Sequence, residues 1–163
     1  MQAQLIELST QLGQQLQTQG LQLAVAESCT AGGLAYAITE IPGSSTWFDR
    51  GFVCYSNAAK MAMLGVLEQT LAQYGAVSAQ TASEMVDGAL QNSLADLAIA
   101  VTGIAGPDGG SVEKPVGTVF IGIQRKNQPP QTHHRLFVGD RTSIRQQVIA
   151  ECLRLAMTAL NPA

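Results

Sequence analysis

The chain has 163 residues, 46% hydrophobic and 13% charged, with a formal net charge of -3 and an isoelectric point near 5.2. That length suffices for one apolar core without disulfide staples, and the composition excludes a disordered chain. The acidic balance excludes the broad basic field of a protein that holds nucleic acid or an anionic membrane, so the expected partners are small molecules or protein.

Leu5, Ile6, Leu8, Leu12 and Leu16 recur at roughly helical spacing, and Gly20 is a plausible C-terminal stop. Leu21 to Ala26 reads as a short strand, and Thr30 to Thr39 as a helix of small residues ending before "IPGSS". "GFVCYS" reads as a second strand and "NAAKMAML" as a short helix with Asn57 as its N-cap. A helix over Glu68 to Tyr74 follows, and Ser78 opens the amphipathic stretch "SAQTASEMVDGALQNSLA". "DLAIAVTGIAG" is a buried strand running into glycine. "GTVFIGIQR" and "THHRLFVG" are antiparallel strands joined by the "KNQPPQ" turn, and Asp140 caps a last helix from about Arg141 to Leu160. Helices interleaved with strands, then a hairpin, imply a layered α/β fold with a mixed sheet in a single domain.

The N-terminal stretch lacks a basic region and a continuous apolar run, and no segment reaches membrane-spanning length. Cys29, Cys54 and Cys152 are an odd set with no close pair, which suggests a reducing compartment. The expected location is the cytoplasm.

In such sheets ligands gather beyond the carboxyl ends of the strands, which singles out three segments. In "ESCTAGG", a helix starting near Thr30 would point the amides of Cys29 to Gly32 at an anion or a developing oxyanion, with Ser28 beside them as a nucleophile. Gly32 and Gly33 would let that helix sit close to the sheet or a ligand. On this stretch alone, Ser28 and Thr30 read more simply as capping residues. Cys29 is a rival nucleophile, but the only histidines, His133 and His134, are adjacent on a strand and face opposite sides, so Cys29 reads as packing beneath the loop.

In "YSNAAKMAML", Lys60 sits among small and apolar residues. Partly desolvated, it would serve as a base toward a serine hydroxyl, with Tyr55 relaying a proton or contacting substrate; taken by itself it reads more simply as a solvated helix residue. The third segment, "TGIAGPDGGSVEKPVG", carries five glycines from Gly103 to Gly117 but neither a phosphate-binding Gly-Lys-Ser/Thr nor a dinucleotide fingerprint. In "VGDRTSIRQQ", Arg141 and Arg145 share one helical face near the helix start, where a ligand phosphate or Asp140 would compensate Arg141. The histidines and scattered carboxylates lack metal-ligand spacing.

Together, "AESCTAGGLA", "GSSTWFDRGFVCYSNAAKMAMLGV", "YGAVSAQTASEM", "TGIAGPDGGSVEKPVGTVFIGI" and "GDR" closely resemble the C-terminal domain family of the competence/damage-inducible protein CinA, in particular its stand-alone form. The resemblance runs over nearly the whole chain. It implies a three-layer α/β/α sandwich that dimerises, with residues 1–163 as one amidohydrolase domain. It also implies hydrolysis of the carboxamide of nicotinamide mononucleotide to nicotinic acid mononucleotide and ammonia, in pyridine-nucleotide salvage, without a metal or organic cofactor.

Carried over residue by residue, the resemblance implies Ser28 as nucleophile, Lys60 as base and Tyr55 as a catalytic neighbour. It further implies substrate contacts at Cys29, Thr30, Gly32, Gly33, Thr102, Gly103, Ala105, Gly106, Arg141 and Arg145, the arginines holding the 5′-phosphate. Whether the Cys29 to Gly33 helix end takes the phosphate or the oxyanion stays open. The family often has Ser-Cys-Thr followed directly by Gly-Gly; here Ala31 intervenes, and its methyl is expected in the first helical turn, narrowing the ligand space. A non-catalytic module that binds a pyridine nucleotide or a protein partner is the alternative, and hydrolysis of a phosphoester or another amide is a third reading.

Overall fold

Strands that read as nearly continuous apolar runs are buried on both faces, and two such strands organise this molecule. In the computed structural model, which describes residues 1–162, β1 (Leu23–Glu27) and β3 (Leu97–Gly103) lie side by side and parallel at the centre of a five-stranded sheet. The order is β2-β1-β3-β4-β5, with β2 (Phe48–Val53) parallel to β1 on one edge. The hairpin of β4 (Thr118–Arg125) and β5 (Gln131–Leu136) continues the other side antiparallel. The mixed sheet expected from the sequence is therefore present.

The α-helices among the described residues are α1 (Gln2–Gln19), α2 (Gly33–Thr39), α3 (Asn57–Leu64), α4 (Glu68–Tyr74), α5 (Ala79–Gln91) and α6 (Arg141–Leu160). Alternation along the strands divides the core between the two sheet faces. Val25, Ile99 and Ile121 point to one face, where Leu12 and Leu16 of α1, Leu34 and Ile38 of α2, and Ile144, Val148 and Leu153 of α6 cover them. Ala26, Ala98 and Ala100 point to the other, under Leu64 of α3, Leu71 of α4, and Met85 and Val86 of α5. Small side chains let α5 come close: a Cβ on Gly122 of β4 would lie 2.7 Å from the Ala82 carbonyl oxygen. The result is the three-layer α/β/α sandwich. Among the described residues no helix is long and apolar enough to cross a membrane.

Several boundaries differ from the sequence reading. β1 begins at Leu23 rather than Leu21 and includes Glu27. β2 begins at Phe48 and ends at Val53. As an edge strand with a half-exposed surface it tolerates Asp49 and Arg50, which mask it in sequence. The N-cap of α3 is Ser56, whose hydroxyl accepts from the Ala59 amide at 3.0 Å, and not Asn57. The largest correction concerns α2, which starts at Gly33 and not near Thr30.

Candidate active site

β1, β2 and β3 all end on one side of the sheet, and the segments that leave them converge there. Ser28 directly follows β1, and its amide donates to Val101 of β3 at 3.0 Å, so the backbone at this point is fixed by the sheet. The chain then folds through two tight turns, with Ala31 N–H donating to Ser28 O at 3.1 Å and Gly33 N–H to Thr30 O at 2.9 Å. To make them, Ala31 and Gly32 adopt φ values of 50° and 92°. Gly32 does so freely, whereas an alanine in this left-handed region is disfavoured by about 1–2 kcal/mol. Ala31 is exposed and precedes the helix, so its methyl does not narrow a first helical turn.

Glu27 explains why α2 starts late. Its side chain is fully buried, and its two carboxylate oxygens accept from the amides of Leu34 at 2.8 Å and Ala35 at 3.0 Å. A carboxylate of the protein's own thus occupies the N-terminus of α2, where the dipole and free amides favour an anion. At the helix end expected to take phosphate or oxyanion, the amides of Leu34 and Ala35 are therefore already satisfied. The amides of Cys29 and Thr30, which precede the helix, donate to no acceptor among the described residues.

Lys60 is 1% exposed on α3, which overturns its simpler reading as a solvated residue. Its Nζ donates to Ser28 Oγ at 3.0 Å, to Tyr55 O at 3.0 Å and to Cys54 O at 3.3 Å. Three acceptors match the three donors of an ammonium. When the amine is neutral, the two carbonyls can keep its two N–H bonds, leaving its lone pair toward the Ser28 hydroxyl. Burial pulls Lys60 below the ordinary lysine value of 10.5, chiefly by desolvation, favouring that neutral form. Burial pushes the Cys29 thiol up to about 12, so it stays protonated at neutral pH and does not compete as a nucleophile.

Ser28 and Lys60 lie in a cleft of about 180 Å³, whose wall also includes Cys29, Thr102, Gly103, Ala105 and Arg141. Tyr55 lines it too, but meets the pair through its carbonyl; its hydroxyl accepts from Arg141 Nη2 at 3.3 Å. Arg141 Nη1 donates to Gly106 O at 2.7 Å, so one guanidinium joins α6, the glycine loop and the segment after β2. Thr102 Oγ1 donates to Ala76 O at 2.8 Å, holding the α4–α5 connection against the cleft.

Five expected contact residues are not part of that wall. Arg145 donates from Nη2 to Thr30 O at 3.0 Å and braces the turn. Thr30 is fully buried, its hydroxyl without a hydrogen-bond partner. Gly32 serves the turn, and a Cβ on Gly33 would lie 2.9 Å from Ile149 Cδ1, so its close approach is to α6 rather than to a ligand. Gly106 contributes the carbonyl that Arg141 grips. The sequence reading missed Glu27 as a structural anion and Asn57, Ala76 and Val77 as cleft residues.

Other hollows exist, among them one of about 200 Å³ near His133 and one of about 340 Å³ between α1, α2 and α6, but neither contains a nucleophile and base in contact. His134 stacks on Phe120 with ring centroids 4.7 Å apart, on β5, which the order of the sheet separates from β1 by β3 and β4. Among the described residues no cluster of His, Cys, Asp and Glu has the makings of a metal site.

The CinA C-terminal domain family matches residues 5–160. The nicotinamide-nucleotide amidohydrolase PncC of Enterobacter agglomerans is 54% identical over 151 residues, covering 93% of this chain and 92% of the relative. The protein of the same name from Escherichia coli K12 is 51% identical over 152 residues, with the same coverage. Among solved structures, the competence/damage inducible protein CihA from Agrobacterium tumefaciens superposes with a TM-score of 0.93 at 47% identity, covering 97% of this chain and 96% of that one. The chain belongs to the CinA C-terminal domain family.

Proposed function

We propose that this member of the CinA C-terminal domain family is a nicotinamide-nucleotide amidase, and that residues 1–163 act as one amidohydrolase domain. The curated relatives at about half identity carry that activity in their names. The observation that carries the mechanism is the 3.0 Å contact between Lys60 Nζ and Ser28 Oγ in a buried setting that favours the neutral amine.

Neutral Lys60 takes the Ser28 hydroxyl proton as Oγ bonds to the carboxamide carbon. The negative charge moves to the carboxamide oxygen, which the uncommitted amide of Cys29, next in the chain to the nucleophile and part of the cleft wall, stabilises. Collapse breaks the carbon–nitrogen bond, and the Lys60 ammonium returns its proton to the leaving nitrogen, giving ammonia. A water molecule then gives a proton to Lys60 as its oxygen attacks the Ser28 ester. Ester cleavage releases the pyridine carboxylic acid, which gives its proton to solvent, and Lys60 returns the proton it took from water to Ser28 Oγ. Arg141 holds the 5′-phosphate at the cleft wall, since only part of its donor fork is used within the protein. In this role the domain serves pyridine-nucleotide salvage and needs no metal for the steps above.

The test is product analysis of nicotinamide mononucleotide incubated with chelator-treated protein. Stoichiometric ammonia and nicotinic acid mononucleotide are expected. Release of phosphate instead would make it a phosphoesterase, and saturable binding without either product would make it a binding module.

A further inference from the structure

Asn57 is a residue whose expected task the structure gives to another. As the helix N-cap it would spend its side chain on a backbone amide, but Ser56 fills that role. Asn57 makes no side-chain hydrogen bond among the described residues, yet it lines the cleft with Ser28, Lys60, Thr102 and Arg141. The other polar side chains there are engaged: Lys60 with three acceptors, Ser28 with Lys60, Thr102 with Ala76, Tyr55 and Arg141 with each other. Asn57 therefore brings two uncommitted donors and an uncommitted acceptor to the wall.

Its position narrows what it would meet. Asn57 and Lys60 are three residues apart on α3 and share a helical face, separated along the axis by roughly 4.5 Å. Lys60 is buried beside the nucleophile, whereas Asn57 is exposed at the start of the helix. A nucleotide with its carboxamide at Ser28 and its phosphate at Arg141 spans the cleft with its ribose between the two. A neutral amide that both donates and accepts suits vicinal hydroxyls better than a phosphate, for which it brings no charge.

We propose that Asn57 recognises the ribose hydroxyls of the nucleotide and thereby sets the preference for a ribonucleotide over an amide lacking that diol. This rests on the nicotinamide-nucleotide reading of the cleft. Neutral hydrogen bonds to two hydroxyls correspond to a preference of about 10- to 100-fold.

The test compares nicotinamide mononucleotide with its 2′,3′-dideoxy analogue. Wild type is expected to favour the natural nucleotide in kcat/KM by about 10- to 100-fold. Asn57→Ala should lose most of that factor on the natural nucleotide and little on the analogue, while Asn57→Asp, whose oxygens can accept from both hydroxyls, keeps the preference. A merely structural role would lower both substrates alike, and that result, or an unchanged preference in Asn57→Ala, overturns the assignment. Equilibrium binding of both nucleotides to Ser28→Ala, with and without Asn57→Ala, reads the same contact without turnover. If wild type binds the natural nucleotide selectively but releases no ammonia, the amidase reading fails while the Asn57 contact stands. If ammonia is released but both nucleotides bind and react equally, the Asn57 contact fails while the amidase reading stands.

Discussion

The nucleophile and the base are delivered by two strand-to-helix crossings built in opposite ways. After β1, the chain from Glu27 to Gly32 is tied at nearly every step: Ser28 to β3, Glu27 to two amides of α2, Thr30 to Arg145, with Ala31 forced into a left-handed conformation. After β2, the chain from Cys54 to Lys60 is an ordinary capped helix start, and what is unusual is the burial of one lysine. One crossing holds geometry at the expense of backbone strain; the other holds a proton affinity at the expense of solvation. They meet where the Cys54 amide donates to Glu27 O at 2.9 Å and in the Ser28–Lys60 contact.

The base side is the more sensitive to conditions. Below the Lys60 pKa the base is protonated, so kcat/KM should fall about tenfold per pH unit on the acid side. The limb should level off below 10.5, because burial lowers the lysine. Stability should rise with pH between the folded-state value and 10.5, a window in which the unfolded chain binds the proton that the folded chain has released. A pH–rate profile and urea melts at several pH values check both.

On the nucleophile side, Glu27→Ala removes a buried carboxylate and leaves two helix-end amides without their acceptor. A loss of about 2–4 kcal/mol in urea unfolding is expected, together with a fall in kcat larger than any change in KM. An unfolding free energy equal to wild type would show that Glu27 does not brace the turn.

Arg141 joins the base-side crossing, at Tyr55, to the glycine loop, at Gly106. Arg141→Ala should raise KM for nicotinamide mononucleotide by roughly 10- to 100-fold, the scale of a lost charged hydrogen bond, and should matter much less for the unphosphorylated riboside. Equal losses on the two substrates would place the phosphate elsewhere. The smallest expected effect is a gain: Ala31→Gly relieves the left-handed alanine and should stabilise the fold by about 1 kcal/mol, measured by the same urea melts, with turnover nearly unchanged.

The two crossings also differ in how far they could be read in sequence. Around Lys60 nearly everything was local: a strand, a short helix, and a lysine among alanines and methionines. The cap was misplaced by one residue, because Ser56 and Asn57 are adjacent and both good caps. The strand was read too late, because Asp49 and Arg50 mask its start, and the burial of Lys60 comes from packing that its neighbours in sequence do not specify. Around Ser28 the decisive contacts are not local. Glu27 reaches ahead to Leu34 and Ala35, and Arg145 reaches back to Thr30. A serine, a threonine and two glycines resemble a helix start, and only a charged residue ending a wholly buried strand hinted that the true cap lay before them. Ala76 and Val77 carry no chemistry, so nothing in their pattern marked them as cleft wall. The layers of the fold were legible because strand alternation and helix spacing are local properties that the sheet merely assembles.

The Ser28–Lys60 contact is tested most directly by measuring ammonia release from nicotinamide mononucleotide by wild type, Ser28→Ala and Lys60→Ala side by side, with folding of each checked by circular dichroism. Wild type should release ammonia, and each folded variant should lose at least about 10³-fold in kcat. Wild-type turnover in either folded variant would show that the buried serine and lysine do not perform the reaction.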